Sequence, residues 1–115
     1  MKNYPDITKD ISKSMKELRA AIPDTMAGFS QMAKAAKKDN ALDMKTKELI
    51  ALAIGVAVRC DGCIGFHAEE LVNLGATREE IAEVLAMSVY MGGGPSLMYA
   101  ADAFKAFDQY SETKE

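Results

Sequence analysis

Residues 44–59, MKTKELIALAIGVAVR, decide what kind of fold this chain takes. The ten positions from Leu49 to Val58 are all apolar or glycine. Periodicity alone cannot separate a buried helix from a buried strand in such a run, and its Ile and Val residues suit a pleated sheet. Length and flanks decide it. A segment near sixteen residues long, opening on Lys and Glu and preceded by Asp43 as an N-cap, reads as a helix. Being apolar all round, it is expected to be buried all round.

Working outward, every neighbouring segment keeps helical rhythm. Toward the N-terminus, Ile7, Ile11, Met15, Leu18 and Ile22 fall in steps of four, four, three and four, one stripe of a helix that Pro23 closes. Asp24 is then expected to cap a second helix carrying Met26, Phe29, Met32, Ala33 and Ala36 through an interior Gly28, ended by the polar run Lys37–Asn40. Toward the C-terminus, a fourth helix begins around Cys60 and runs through FHAEELVNL to Gly75, a residue type favoured just past a helix end. Thr77 with Glu80 three residues on forms a capping box for a fifth helix through IAEVLAMSVYM. Gly92–Pro95, GGGP, breaks it, and SLMYAADAFKAFDQY forms a sixth with Leu97, Ala101, Phe104 and Phe107 at helical spacing before a fraying SETKE tail. No segment alternates like a strand. The expectation is one all-α domain over residues 1–115, a bundle of about six helices.

Composition agrees and bounds the function. At 12.5 kDa the chain is small, and its core must come from aliphatics, Ala and eight Met, because there is no Trp and little other aromatic surface. Such a chain is expected to assemble as a homo-oligomer. A net charge of −3 argues against nucleic acid or an anionic membrane as the main partner, since both demand a basic face. MKNYPDITKD has no apolar core of a signal peptide and no run approaches a membrane span, so a cytoplasmic location is expected. GGGP lacks the preceding strand and following Lys-Ser/Thr of a phosphate loop.

Chemistry concentrates in RCDGCIGFHAEEL, residues 59–71, which holds both cysteines and the sole histidine. Three readings apply to Cys60, Cys63 and His67. As a zinc site they supply three ligands where a closed structural site takes four, and no second C-x-x-C exists. As plain core residues they would be two small hydrophobes and a satisfied imidazole. As a redox site they gain from a helix start, where unpaired N–H groups stabilise a thiolate. Cys63 and His67, four residues apart, share a helix face, and a C-x-x-C across a helix start is compatible with disulfide closure. Redox chemistry without a bound metal or cofactor is the favoured reading. Glu48 stands at the threshold of the apolar run. It is either a solvated first-turn acid or, if the third and fourth helices pack antiparallel, a carboxylate presented to His67.

The pattern Glu48, Cys60 twelve residues on, Cys63 three later and His67 four later resembles the active-site signature of the AhpD-like (alkylhydroperoxidase D-like) proteins of the carboxymuconolactone decarboxylase superfamily. The similarity extends from about Lys45 to Phe107, including LGAT and GGGP. It implies a redox-active Cys60–Cys63 disulfide, Cys63 as the attacking thiol, Cys60 as its resolving partner, and Glu48 with His67 as a proton relay. It further implies a peroxidase or disulfide reductase acting in antioxidant defence. Substrates would be peroxides or small disulfides, the reductant dihydrolipoyl or thioredoxin-like, and the assembly a homotrimer or homohexamer. One departure stands out: Gly62 occupies the position where the better-known alkylhydroperoxidases carry a second histidine. The superfamily's decarboxylases lack the cysteine pair. The competing class is a non-enzymatic helical binding module using Met87, Met91 and Met98 as a recognition face.

Overall fold

A computed structural model describes residues 2–114, in the order α1 (Tyr4–Ala21), α2 (Pro23–Ala36), α3 (Met44–Ala57), α4 (Asp61–Asn73) and α5 (Arg78–Thr113). Every regular element among these residues is a helix, so the deciding segment is helical as its length and flanks predict. Asp43 caps α3 by accepting the Thr46 N–H at 2.8 Å. The Thr77–Glu80 capping box is present with both of its bonds. The run α5 is two helices meeting at a kink within GGGP, so the expected break and the sixth helix beyond it are both present. The break is confined to Gly93, whose φ of 70° and ψ of −151° leave the helical region, and Pro95 lies just beyond it.

Three expectations need correction. Asp24 does not cap α2: Pro23 takes the first helical position, where its fixed φ is already helical and its missing N–H is no loss, and Ile22 becomes the flanking residue. The tail is helical further than expected, since Ser111 and Thr113 bond back to the carbonyls of Phe107 and Tyr110 and carry α5 to Thr113, while Glu115 of SETKE lies outside the described residues. In α1, Tyr4 and Thr8 are buried while Leu18 and Ile22 are exposed, because only the start of α1 lies over the core.

The largest correction concerns α3. Glu48, Leu52, Gly55 and Val56 are buried against α4 and α5, but Ile50, Ile54 and Val58, at four-residue intervals on the opposite face, are 45%, 55% and 63% exposed. A single chain has only enough helices to cover one side of α3. Likewise α2 packs against α1 alone and buries no residue, leaving Phe29 and Met32 in solvent. This projecting arm lifts the radius of gyration to 14.3 Å, above the ~13 Å of a compact chain this long.

The core itself joins Leu52 and Val56 of α3, Ile64, Ala68 and Leu71 of α4, and Ile81, Leu85, Ala103, Ala106 and Phe107 of α5. The chain's start is fastened to it by polar contacts. Tyr4 is 1% exposed and its hydroxyl donates to Asp61 Oδ1 at 2.8 Å, while the Lys2 amine bridges Asp61 and Asp102 at 3.0 and 2.9 Å. Burial first, then the Asp61 carboxylate, push the Tyr4 phenol well above its usual range. Its neutral form therefore favours folding below the ordinary tyrosine range, and that contribution fades as alkali ionises it. Asp61 lies between the two cysteines, so this anchor holds the start of α4.

Candidate redox site

Two helix ends deliver the cysteines. At the end of α3 the N–H of Arg59 donates to Val56 O at 3.1 Å and that of Cys60 to Gly55 O at 3.0 Å, the paired bonds of a Schellman turn. The chain therefore reverses within two residues, and Cys60 becomes the N-cap of α4. Its sulfur accepts the Cys63 N–H at 3.1 Å, satisfying one of the donors that every helix start exposes. Cys60 and Cys63 form a disulfide, with Cα atoms 5.2 Å apart.

Arg59 holds that turn with a φ of 59°, where the equivalent turn after α4 uses Gly75 at 76°. A side chain in the left-handed region costs roughly 1–2 kcal/mol, partly offset in a glycine variant by a freer unfolded chain. Arg59→Gly is therefore expected to stabilise the protein by about 0.5–1 kcal/mol. Its urea midpoint should rise, and a fall would contradict this account of the turn.

The same helix pair brings a carboxylate and the imidazole together beside the sulfurs. A Cβ at Gly55 would lie 3.2 Å from Cys63 Cβ, so the absent side chain lets α3 touch the first turn of α4. Seven residues earlier on that face, Glu48 is 1% exposed and its Oε2 lies 2.5 Å from His67 Nδ1. Contacts at 55–63 and 48–67 run in opposite senses, making the two helices antiparallel, the arrangement that turns Glu48 inward. The solvated-acid reading of Glu48 is thereby excluded. A carboxylate only accepts, so Nδ1 carries the hydrogen toward Glu48 and Nε2 is left outside that pair. Cys63 and His67 both lie within α4, one turn apart on a single face.

All four residues singled out in the sequence thus converge at the α3–α4 junction, with the helix-end donor serving Cys60 and the histidine face serving Cys63. Sequence reasoning missed four contributors. Lys37, treated only as part of the run that ends α2, has its Nζ 3.8 Å from Glu48 Oε1. Gly55 was one of ten apolar positions, though a glycine two turns after Glu48 was a readable sign of close approach. Lys2 and Tyr4 gave no signal, because their reach to Asp61 spans more than fifty residues. Among the described residues, no group of three or more His, Cys, Asp and Glu side chains could hold a metal ion, and no helix is long and apolar enough to cross a membrane.

Comparison with known proteins agrees with this architecture. A carboxymuconolactone decarboxylase family protein from Legionella pneumophila, solved in its apo form, is 59% identical with a TM-score of 0.92, covering 94% of this chain and 96% of its own. A Thermotoga maritima protein of the same family, described as a candidate in the antioxidative response, is 28% identical with a TM-score of 0.79 over 91% of this chain and 92% of its own. An uncharacterised protein of Cupriavidus necator is 43% identical over 99 residues, 86% of this chain and 88% of the relative. The model of the carboxymuconolactone decarboxylase family matches residues 23–106, which takes in the whole α3–α4 site. With that match spanning most of its length, the chain belongs to the carboxymuconolactone decarboxylase family.

Proposed function

We propose that this protein is a thiol-dependent oxidoreductase that cycles Cys60 and Cys63 between dithiol and disulfide while reducing a peroxide or a small disulfide. The observation that carries this reading is the pairing of a disulfide-forming C-x-x-C at a helix start with buried Glu48 bonded to partly exposed His67, one turn from Cys63. The description of the Thermotoga maritima relative points the same way.

In the reduced protein, His67 Nε2 takes the Cys63 proton, with Glu48 holding the ring through Nδ1. The Cys63 thiolate attacks a peroxide oxygen: an S–O bond forms, the O–O bond breaks, and the leaving alkoxide takes the proton from His67 as alcohol. Cys60 then attacks the Cys63 sulfur, forming the S–S bond and expelling water. With a disulfide substrate the first product is a mixed disulfide and one thiolate, and attack by Cys60 releases the second. Either route oxidises the protein by two electrons. An external dithiol, dihydrolipoyl or thioredoxin-like, restores it. Gly62, in place of a histidine, leaves His67 as the sole imidazole for both proton transfers. A decarboxylase reading finds no work for the paired sulfurs.

Steady-state turnover with hydrogen peroxide, an alkyl hydroperoxide and a small disulfide, using dihydrolipoamide or thioredoxin, tests the reading. Consumption of at least one oxidant coupled to reductant supports it. A reduced protein inert to all three removes it.

Assembly belongs to the same proposal. Ile50, Ile54 and Val58 on α3, Phe29 and Met32 on α2, and Met87, Tyr90, Met91 and Met98 around the α5 break are all exposed. Apolar surface on this scale marks an interface rather than a monomer's exterior. Covering ~1,000 Å² at ~25 cal/mol per Å² exceeds the cost of association. Sedimentation equilibrium at micromolar concentration should give a homotrimer or homohexamer. A monomer there contradicts the assignment.

A further inference from the structure

Glu48 is almost entirely out of water, and its two oxygens face different cations: Oε2 meets His67 at 2.5 Å and Oε1 meets Lys37 at 3.8 Å. A buried carboxylate needs compensating charge, so the two partners compete to supply it. With His67 alone, compensation would come from an imidazolium, and the ring would hold a proton at the pH where it must accept one. Lysine is charged throughout the neutral range. With Lys37 beside Glu48, the cluster is neutral overall when the imidazole is unprotonated.

We propose that Lys37 is a positioning residue that acts on His67 through Glu48, sharing the charge of the buried carboxylate so that the imidazole can serve as a base. Lys37 caps the C-terminus of α2, donating its backbone N–H to Ala33 O at 3.0 Å, and its side chain is the point where that otherwise projecting arm reaches the site. The inference rests on the relay reading above and adds a member to it.

Other charged groups near these helices are engaged elsewhere or do not change. On α3, Lys45 pairs with Glu80 at 2.9 Å and the Lys47 amine donates to Lys38 O at 2.6 Å. At the start of α4, Asp61 is held by Tyr4 and Lys2, and later in α4 Glu69 faces Lys114 of α5 at 3.9 Å. Lys9, Lys13 and Lys16 of α1 line a groove with Phe66 and Glu69. Glu70, three residues beyond His67, adds negative charge that is constant across the variants below.

His67 is the chain's sole histidine, so its ring resonances titrate without overlap in NMR. The oxidised protein is the form to use, because a Cys60–Cys63 disulfide leaves neither sulfur to titrate with it. Lys37→Gln and Lys37→Met should each raise the His67 midpoint by ~0.5 pH unit or more, a shift discounted for the half-exposed amine. Lys37→Arg should restore the wild-type midpoint. An unchanged or lowered midpoint in the neutral variants overturns the proposal. So does a lower melting temperature in Lys37→Met with the midpoint unmoved, since Met keeps the stem and would then reveal a packing role only. Turnover is read separately. A shifted midpoint in a protein that reduces no oxidant preserves this inference and removes the redox reading, whereas turnover with an unmoved midpoint does the reverse.

Discussion

Cys63→Ser should abolish turnover at its first step, while Cys60→Ser should still attack and then stall. Without its partner, Cys63 is expected to accumulate as sulfenic acid with a peroxide or as a mixed disulfide with a disulfide substrate. The prediction is worth testing on both sulfurs because the site divides its two activating features between them. Cys60 accepts the Cys63 N–H at the start of α4, and Cys63 shares the helix face of His67. A helix-end donor lowers a thiol below its ordinary range near ~8.5 and makes it a good leaving group, whereas an adjacent base also removes the proton that attack requires. Alkylation of each single-cysteine protein from pH 5 to 10, with mass analysis of the stalled adducts, separates the roles. An adduct trapped on Cys60 in Cys63→Ser, with turnover retained, would exchange them.

The second large effect concerns buried Glu48 and its partner His67. Glu48→Gln and His67→Gln should each slow turnover by ~10²-fold or more, as expected for a positioned acid–base group. The double variant should be little slower than either single one, since both changes cut one relay. Glu48→Gln keeps the shape of a side chain that is 1% exposed, and the amide can still accept from His67 Nδ1. Circular dichroism and melting should therefore stay near wild type while the rate falls. Additive losses in the double variant would mean that the two residues act separately.

How these features were legible in the sequence depends on their range. Helix identity followed from spacing within ten to twenty residues, and so did the Asp43 cap, the Thr77–Glu80 box and the interruption at GGGP. The dithiol was equally local. Glu48 was harder, because its burial depends on the antiparallel register of α3 on α4, which Gly55 permits by approaching Cys63. That register is a tertiary fact, and the spacing of Glu48 to Cys60 gained meaning only through its resemblance to a known pattern. Lys37 was hidden for the same reason. A lysine in a polar run is ordinarily solvated, and its approach to Glu48 depends on how the α2–α3 connection folds. The apolar surplus of α3 was visible, but a linear pattern does not distinguish a face covered by the chain's own helices from one left to another copy.

In the proposed cycle Cys60 and Cys63 exchange two electrons with the substrate as one unit. The most direct test mixes fully reduced protein with one equivalent of peroxide or small disulfide, follows oxidant loss, and quenches samples for intact and peptide mass analysis. The account predicts a two-proton mass loss located to a Cys60–Cys63 disulfide, formed in step with oxidant consumption and reversed by a dithiol. Oxidant consumed while both thiols remain free, or a disulfide that forms only between subunits, would contradict it.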